Sequence, residues 1–259
     1  MGHTLVGDLP KSARWRAVVA LLDDDQLSAP ELARLTLLAS RQRLLQLRGD
    51  PSLTYCFWLL VRLAEAARGP DFLADVARLG VPVRAGDPAL AVVARAADRA
   101  RIELDRFPES GPFGELASLA LRRTLTETVG IENRSLFGSS LEDLERAFRR
   151  RSSPVQFGEL AHRFFGDFVA RTLRFYVERE LSHHVGTGGG LASIADAGDF
   201  AAALDLHARQ SARIVEGFAA DWYAKHHWEA GGAIGREETQ RFVAHALRKL
   251  RKELLVEAP

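Results

Sequence analysis

Apolar residues recur three or four positions apart along almost the whole of this 259-residue chain. Such spacing places them on one face of an α-helix, whereas a β-strand needs alternation at every second residue. The sequence contains no convincing alternating stretch bounded by turn residues. Ala, Leu, Arg and Glu dominate the composition, and all four are good helix formers. The sequence therefore predicts an all-α protein.

Capping residues divide this pattern into separate helices. Ser28–Glu31 and Ser153–Gln156 have the pattern of capping boxes, in which a serine hydroxyl accepts a backbone N–H while the Glu or Gln side chain reaches back. Asp50–Pro51 and Asp87–Pro88 each place an acidic cap before a proline that opens a helix. The last of these signals predicts a helix that runs to about Phe107.

The longest periodic stretches lie in the C-terminal half. From Pro154 to about His184 the pattern predicts one amphipathic helix of roughly 30 residues, about 45 Å long. A second long stretch runs from about Asp199 to Trp228, and the glycine-rich segment 186–190 lies between the two. Two long helices joined in this way most simply form an antiparallel hairpin. A final helix is predicted from about Arg236 to Leu255.

The segment Phe107–Pro112 is the best candidate for a domain boundary, because it holds two prolines and a glycine. It predicts an N-terminal helical domain over residues 1–107 and a C-terminal helical bundle over residues 111–259. Each part is long enough to bury a core of its own.

Charge and cysteine content limit the classes of function. The 35 basic and 34 acidic side chains leave a net charge of +1, which gives no overall attraction to nucleic acid or membrane. The single cysteine, Cys56, cannot form an internal disulfide, which suits a reducing cytosol. Its apolar run, Leu53–Val61, is half the length that a bilayer requires, and no secretory signal is visible. We therefore expect a cytoplasmic protein without membrane contact.

Glutamate and histidine pairs are the candidate metal ligands. Glu159–His162 and Glu180–His183 match the Glu-x-x-His pair that di-iron bundles take from two different helices. Here both pairs fall on one predicted helix, about 30 Å apart along its axis, so they cannot share a cluster. Glu180 and His183, joined by His207 of the next helix, remain the candidate ligands of a metal-dependent enzyme. We expect neither metal nor cofactor.

Other catalytic motifs are missing from the sequence. The glycine-rich segment 186–190 has no preceding strand and no Gly-Lys-Ser/Thr, so it is not a phosphate-binding loop. There is no Gly-x-Ser-x-Gly elbow. Cys56 lies among Tyr55, Phe57 and Trp58, and such apolar surroundings raise a thiol pKa and suppress its nucleophilicity. The sequence favours a protein that is not an enzyme.

Two basic clusters are candidate contacts for nucleic acid. They comprise Arg149, Arg150 and Arg151 at one helix end, and Arg241, Arg248, Lys249 and Lys252 along the final helix. A phosphate backbone can follow such a row of cations. The helix dipole alone favours the same arrangement, with Glu237 and Glu238 at the start of the final helix and bases at its end. On this alternative interpretation, the basic face is simply the solvated side of the helix.

The densest group of aromatic residues lies in the segment 218–228, next to a Gly-Gly break. Aromatic side chains with polar edges are preferred anchors of protein interfaces. Successive helical residues point about 100° apart, so Trp228 and the two histidines before it cannot all face inward. The predicted partner-contact residues are Trp222, Tyr223, His226, His227 and Trp228.

Two stretches carry a resemblance to a known family. Arg-Glu-Leu-Ser-His-His-Val-Gly at 179–186 and Trp-Tyr-Ala-Lys-His-His-Trp-Glu-Ala-Gly-Gly at 222–232, with the basic helix after them, resemble the C-terminal half of a family of all-helical bacterial proteins. The resemblance covers about the last hundred residues. It implies a bacterial origin, and no activity, cofactor or site comes with it.

These features together favour a non-catalytic helical subunit of a bacterial multiprotein system. Such a subunit acts by binding other proteins or copies of itself as an oligomer. A nucleic-acid-binding protein that uses the C-terminal basic helix is the first alternative. A metal-dependent enzyme with Glu and His ligands is the second.

Overall fold

A computed structural model describes residues 16–18, 20, 29–132, 140–184, 194–229, 231 and 233–256. These ranges are mostly helical and contain no β-strand, and an isolated bridge between Pro88 and Ser140 is the only strand-like pairing within them. The predicted all-α fold is confirmed.

The helices have the following bounds. They are α1 (Ala29–Gln46), α2 (Pro51–Ala66), α3 (Phe72–Arg78), α4 (Ala89–Leu104), α5 (Pro112–Glu132), α6 (Leu141–Arg151), α7 (Pro154–His184), α8 (Ile194–Glu229) and α9 (Arg236–Val256). Short 3-10 turns, Leu47–Gly49 and Pro108–Ser110, connect α1 to α2 and α4 to α5. The bounds of α7 agree with the prediction, α8 begins earlier than predicted, and α9 ends one residue later.

Two of the predicted caps have different outcomes. Asp50 caps α2, because the Leu53 N–H donates to Asp50 Oδ1 at 2.7 Å and Pro51 is the first helical residue. Asp87 does not cap α4: its carboxylate accepts the N–H of Arg84 at 2.7 Å and pairs with Arg95 at 2.8 Å. The prediction for Asp87 was wrong because Pro88 occupies the N-cap position of α4, which leaves Asp87 one residue before the cap.

The start of α6 carries a capping box that the sequence analysis missed. The Ser140 hydroxyl accepts the N–H of Asp143 at 3.2 Å, and the Asp143 carboxylate accepts the N–H of Ser140 at 2.9 Å. An aspartate here takes the place of the usual Glu or Gln. The Gln156 side chain, predicted to close a box at Ser153, instead bonds to Arg151 and Glu159. The predicted cap at Ser28 lies outside the described residues.

Helices α7 and α8 pack side by side along most of their length and run antiparallel, as predicted. The Phe157 ring stacks on Tyr223 with 4.1 Å between ring centroids, near the start of α7 and the end of α8. Farther along, Arg174 of α7 pairs with Asp205 of α8. The contacts thus advance along one helix while they retreat along the other. The connecting segment 186–190 lies outside the described residues.

The charged face of α7 is not simply a solvated face. Asp167 is buried and pairs with Arg123 of α5 at 2.9 Å and with Arg171 of its own helix at 2.5 Å. Helix α5 packs on this side of α7. Asp167 therefore joins two helices, because one of its arginine partners lies in α7 and the other in α5.

The apolar core is built around α2. Phe57 of α2 lies within ring-packing distance of Phe157 and Phe165 of α7, at 6.1 and 5.0 Å, and stacks on Phe242 of α9 at 5.1 Å. One buried cluster contains residues from both sides of the segment 107–112. Helix α9 packs against α1, α2 and α8, so the C-terminal helix covers the N-terminal ones. The division into two domains stays a prediction.

Candidate functional site

A groove of about 390 Å³ lies between α8 and α9 and is the candidate functional site. Its residues are Phe218, Trp222 and His226 from α8, and Glu238, Arg241, Phe242, His245 and Arg248 from α9. The three residues of α8 are spaced four apart, so they line one face of that helix. We call this feature the α8–α9 groove.

Aromatic rings form the apolar part of the α8–α9 groove. Trp222 packs on Phe242 with 4.4 Å between ring centroids. Phe218 lies 5.4 Å from Phe242 and meets His245 edge to face at 5.0 Å. The Nδ1 atom of His226 lies 2.9 Å from the Trp222 carbonyl oxygen, which fixes the orientation of that imidazole. The rings are therefore held in place before any ligand arrives.

Helix α9 forms the other wall, which contains Glu238, Arg241, Phe242, His245 and Arg248. Arg241, His245, Arg248 and Lys252 are spaced four, three and four residues apart, which places them on one face of α9, opposite its buried face. Arg241 donates to Glu237 at 2.7 Å and lies 3.7 Å from Glu238. Arg248 is exposed and makes no ion pair with any residue that the structure describes. The positive charge of Arg248 is thus open to a ligand.

The positive charges of α9 also affect the ionisation of His245. Partial burial lowers its pKa below 6.5, and the positive charges of Arg248 and Lys249 lower it further. His245 is therefore mostly neutral at pH 7 and offers a ring nitrogen for hydrogen bonding rather than a charge. A groove with a packed aromatic surface and an open arginine suits a ligand that has an apolar part and an anionic part.

The five predicted partner-contact residues do not share one surface. Trp222 and His226 line the α8–α9 groove, whereas Tyr223 is fully buried against Phe157. His227 stacks on the Tyr223 ring, and Trp228 is 86% exposed. Each step along α8 turns the side chain by about 100°, so five nearly consecutive residues spread around the helix.

His227 and Trp228 line a second cleft, of about 640 Å³, which we call the Trp228 cleft. Its polar residues are Arg62, Glu65 and Arg68 of the α2 region and Asp75 of α3. The side chain of Glu65 is only 2% exposed; it pairs with Arg62 at 2.7 Å and accepts the N–H of Ile234 at 3.2 Å. Its Oε1 also lies 3.3 Å from Nδ1 of His227.

Burial sets the ionisation of Glu65. Loss of hydration raises its pKa, and the opposing effects of Arg62, His227 and the Ile234 N–H do not fully offset that loss. Glu65 joins α2 to the end of α8 and to the segment before α9. These contacts hold the three segments together, so the role of Glu65 is structural.

The arginines at the end of α6 are mostly engaged in the fold. Arg149 donates to the Ala67 carbonyl at 2.9 Å and to Glu145 at 2.5 Å. Arg151 is buried and donates to Glu159 and Gln156, each at 2.6 Å. Arg150 is exposed. Two of the three predicted contacts thus tie α6 to the α2 region and to α7, whereas Arg241 and Arg248 lie at the α8–α9 groove.

The predicted Glu-x-x-His pair at 159–162 makes contacts other than metal ligation. Glu159 pairs with Arg151, and His162 contacts the Arg209 carbonyl oxygen at 2.8 Å. The side chains of Glu180 and His183 lie outside the described residues, and His207 is half-buried on α8. In the part of the chain that the structure describes, no three His, Cys, Asp or Glu side chains group as metal ligands would.

The remaining findings concern membranes, the thiol and known proteins. None of the helices in the described ranges combines the length and the hydropathy needed to cross a bilayer. Cys56 is fully buried, and burial raises the pKa of its thiol, as the sequence predicted.

Comparison of the chain with protein-family models, curated proteins and solved structures gave no match.

Proposed function

We propose that this protein is a non-catalytic interaction subunit whose α8–α9 groove binds an acidic segment of another protein. One observation carries the proposal: the aromatic surface of Trp222 and Phe242 and the open charge of Arg248 border the same groove. Tryptophan and arginine are the residue types that most often dominate the energy of protein interfaces.

The size and the charge of the groove specify the kind of segment. A volume of about 390 Å³ holds a few side chains rather than a whole helix. The expected segment inserts one apolar or aromatic side chain against Trp222 and places a carboxylate beside Arg248. Charge complementarity of this kind accelerates association and rejects basic partners.

Selection of peptides from a random display library tests this proposal directly. We expect the peptides enriched on the wild-type protein to carry at least one Asp or Glu next to an aromatic or aliphatic residue. Arg248→Glu should weaken their binding at least tenfold, which corresponds to about 1.4 kcal/mol. Lys249→Glu is the matched control, because it makes the same charge change next to Arg248 but does not line the groove.

Two results would contradict the proposal. The first is enrichment of peptides that have no acidic residue. The second is equal loss of affinity in the Arg248 and Lys249 variants, which would indicate a diffuse effect of charge. Light scattering of the purified protein over a range of concentrations shows whether the occupant is a second copy of the chain.

Nucleic-acid binding is the second candidate function, and a specific observation favours it. Arg248, Lys249 and Lys252 are exposed and have no acidic partner among the residues with described side chains. Proteins that bind single strands combine such cations with aromatic rings on which bases stack. The groove could then receive a base while the phosphates follow α9.

Salt dependence separates this candidate from the first. A fluorescent single-stranded oligonucleotide should bind with an affinity that falls steeply between low and moderate salt. Neutralising Lys249 alone or Lys252 alone should then weaken binding about as much as neutralising Arg248 alone, because each cation contacts phosphate. Affinity unchanged in the double variant Arg248→Ala, Lys252→Ala would reject this surface for nucleic acid.

A further inference from the structure

A cleft of about 770 Å³ adjoins the Trp228 cleft, because Arg68 and Gly69 line both of them. Its other residues include Arg149 of α6, and Ser152 and Ser153 before α7. We call it the Arg149 cleft. The volumes of the two clefts lie within the range of about 300–1,000 Å³ that is typical of small-molecule sites. None of these residues lines the α8–α9 groove.

Two arginines of the Arg149 cleft are held by main-chain oxygens and remain accessible. Arg68 is exposed and donates from Nη1 to the Ser152 carbonyl oxygen at 3.3 Å. Arg149 is exposed and donates from Nε to the Ala67 carbonyl oxygen at 2.9 Å and from Nη2 to Glu145 at 2.5 Å. A guanidinium has five N–H groups, so each arginine keeps donors for a ligand. Both cations are thus positioned before a ligand binds.

Positive charge is in excess where the two clefts meet. No acidic side chain lines the Arg149 cleft in the described part of the chain. The two acidic residues of the Trp228 cleft each have an arginine partner: Glu65 pairs with Arg62 at 2.7 Å, and Asp75 pairs with Arg78. Arg68 has no acidic partner among the described residues. An anion in the Arg149 cleft would therefore meet two guanidinium groups and no carboxylate on the walls.

Two guanidinium groups around one small volume match a terminal phosphate. A phosphate monoester carries a charge of about −1.5 to −2 at pH 7 and three acceptor oxygens. Arginine binds phosphate oxygens in a bidentate manner, and the exposed Ser153 offers a hydroxyl as a further donor. The phosphodiesters of a polynucleotide carry single charges at regular spacing, so they match a row of cations such as that on α9.

Trp228 gives the adjoining cleft an aromatic surface that a ligand can reach. At 86%, it is the most exposed large apolar side chain in the described part of the chain. Its neighbour His227 is fixed, because the His227 Nδ1 atom lies 3.3 Å from Oε1 of the buried Glu65. Flat heteroaromatic rings stack on such an indole. Since Arg68 and Gly69 line both clefts, one small molecule can contact the indole and the two arginines.

We propose that the Trp228 cleft and the Arg149 cleft together bind a nucleoside monophosphate. Arg68 and Arg149 bind the phosphate, Ser153 donates a hydrogen bond to it, and Trp228 stacks on the base. The sugar lies beside Gly69, where no side chain obstructs it. This site is separate from the proposed protein-binding groove, and the proposal does not depend on that groove.

Adenosine monophosphate is a suitable probe, and two fragments of it are matched controls. Adenosine keeps the base without the phosphate, and ribose 5-phosphate keeps the phosphate without the base. In NMR titrations of the full-length protein, the nucleotide should shift the indole N–H signal of Trp228 and the amide signals of Arg68 and Ser153. We expect each fragment to bind at least tenfold more weakly than the nucleotide.

Three variants test the three main contacts. Arg68→Gln, Arg149→Gln and Trp228→Leu should each weaken binding of adenosine monophosphate at least fivefold. Arg150→Gln is the control, because Arg150 is exposed and next to Arg149 but lines neither cleft. Thermal unfolding checks that each variant folds. Trp228→Leu changes an exposed side chain, so it keeps the test decisive if an arginine variant fails to fold.

Several outcomes would overturn the proposal. Equal affinity for adenosine and its monophosphate would show that the phosphate is not bound. An unshifted Trp228 indole signal would remove the base from the site. Equal losses in Arg149→Gln and Arg150→Gln would indicate a diffuse effect of charge. Tighter binding of a single-stranded oligonucleotide without a terminal phosphate, with shifts of the same signals, would assign the clefts to nucleic acid.

Discussion

Gly158 of α7 lies so close to Glu216 of α8 that a Cβ atom at Gly158 would stand 2.4 Å from the Glu216 main-chain oxygen. Real Cβ atoms do not approach a carbonyl oxygen this closely, and a main-chain atom cannot swing aside as a flexible side chain does. Any larger residue must therefore push the two helices apart. Gly158→Ala should lower the free energy of unfolding by about 1–3 kcal/mol, the usual cost of overpacking.

Gly217 is the matched control for this prediction. It lies in α8 next to Glu216, and a Cβ at its position would meet nothing within 4 Å. Alanine is the better helix former, so Gly217→Ala should raise the free energy of unfolding by up to about 1 kcal/mol. Urea denaturation of both variants measures the two changes. A similar gain in both would mean that helix propensity, not the close approach of Gly158 to Glu216, determines the effect of these substitutions.

The α7–α8 hairpin shows how far the sequence carries a prediction of this fold. Periodicity places the two helices well because each has a continuous apolar face. The role of Gly158 could not be predicted, because a glycine within a helix has no local signature of the partner that approaches it. Register between helices depends on side chains far apart in the sequence.

The α8–α9 groove shows the same limit at the candidate site. The spacing of Phe218, Trp222 and His226 is visible in the sequence, and so is that of Arg241 and Arg248. That the two rows face each other depends on the turn between α8 and α9. From the sequence, the row on α8 was predicted to contact a protein partner and the row on α9 to contact nucleic acid. In the structure both rows line one groove.

Two buried glutamates should respond to pH with opposite signs. Glu65 and Glu103 both have side chains that are 2% exposed. Burial raises the pKa of Glu65 above 4.5, and its partners do not reverse this. Burial also acts on Glu103, but hydrogen bonding and charge from Arg99, with the charges of Arg106 and Arg236, bring its pKa below 4.5.

The sign follows from proton release. The unfolded chain loses the Glu65 proton at a lower pH than the folded protein does, so stability falls as pH rises from about 4.5 through the raised pKa. Glu65→Gln cannot ionise and escapes this loss. We expect the wild-type protein to lose stability relative to Glu65→Gln as pH rises from about 4.5 through the raised pKa of Glu65. Urea denaturation at several pH values measures the difference.

Glu103→Gln should behave in the opposite way. A lowered pKa gives the ionised form a stabilising contribution above pH 4.5, and this contribution disappears as pH falls through the lowered pKa. At pH 7 the variant should be less stable than wild type by about 1.5–3 kcal/mol, the usual contribution of a hydrogen bond to a charged group. If both glutamine variants gave the same slope with pH, the arginines around Glu103 would not explain its ionisation.

His245 should report the charge of the α8–α9 groove. After burial, the largest contribution to its lowered pKa is the positive charge of Arg248. Arg248→Gln should therefore raise the pKa of His245, as followed by NMR titration of the imidazole signals. Arg241→Gln is the control, because Arg241 lines the same groove but does not act on that pKa. Binding of an acidic peptide in the groove should shift the pKa in the same upward direction.

Trp222 and Trp228 should contribute very differently to stability although they are six residues apart on α8. Six helical steps of about 100° place them on different sides of the helix. Trp222 is half-buried against Phe242, so Trp222→Ala should cost about 2–3 kcal/mol, somewhat less than a fully buried tryptophan. Trp228 is 86% exposed, so Trp228→Ala should change the free energy of unfolding by less than about 0.5 kcal/mol. Urea denaturation measures both values.

A loss above 1 kcal/mol for Trp228→Ala would contradict this prediction. It would show that the indole of Trp228 is packed in solution, either within the chain or against another copy. Repeating the measurement at tenfold lower protein concentration separates those two cases, because only packing against another copy weakens on dilution.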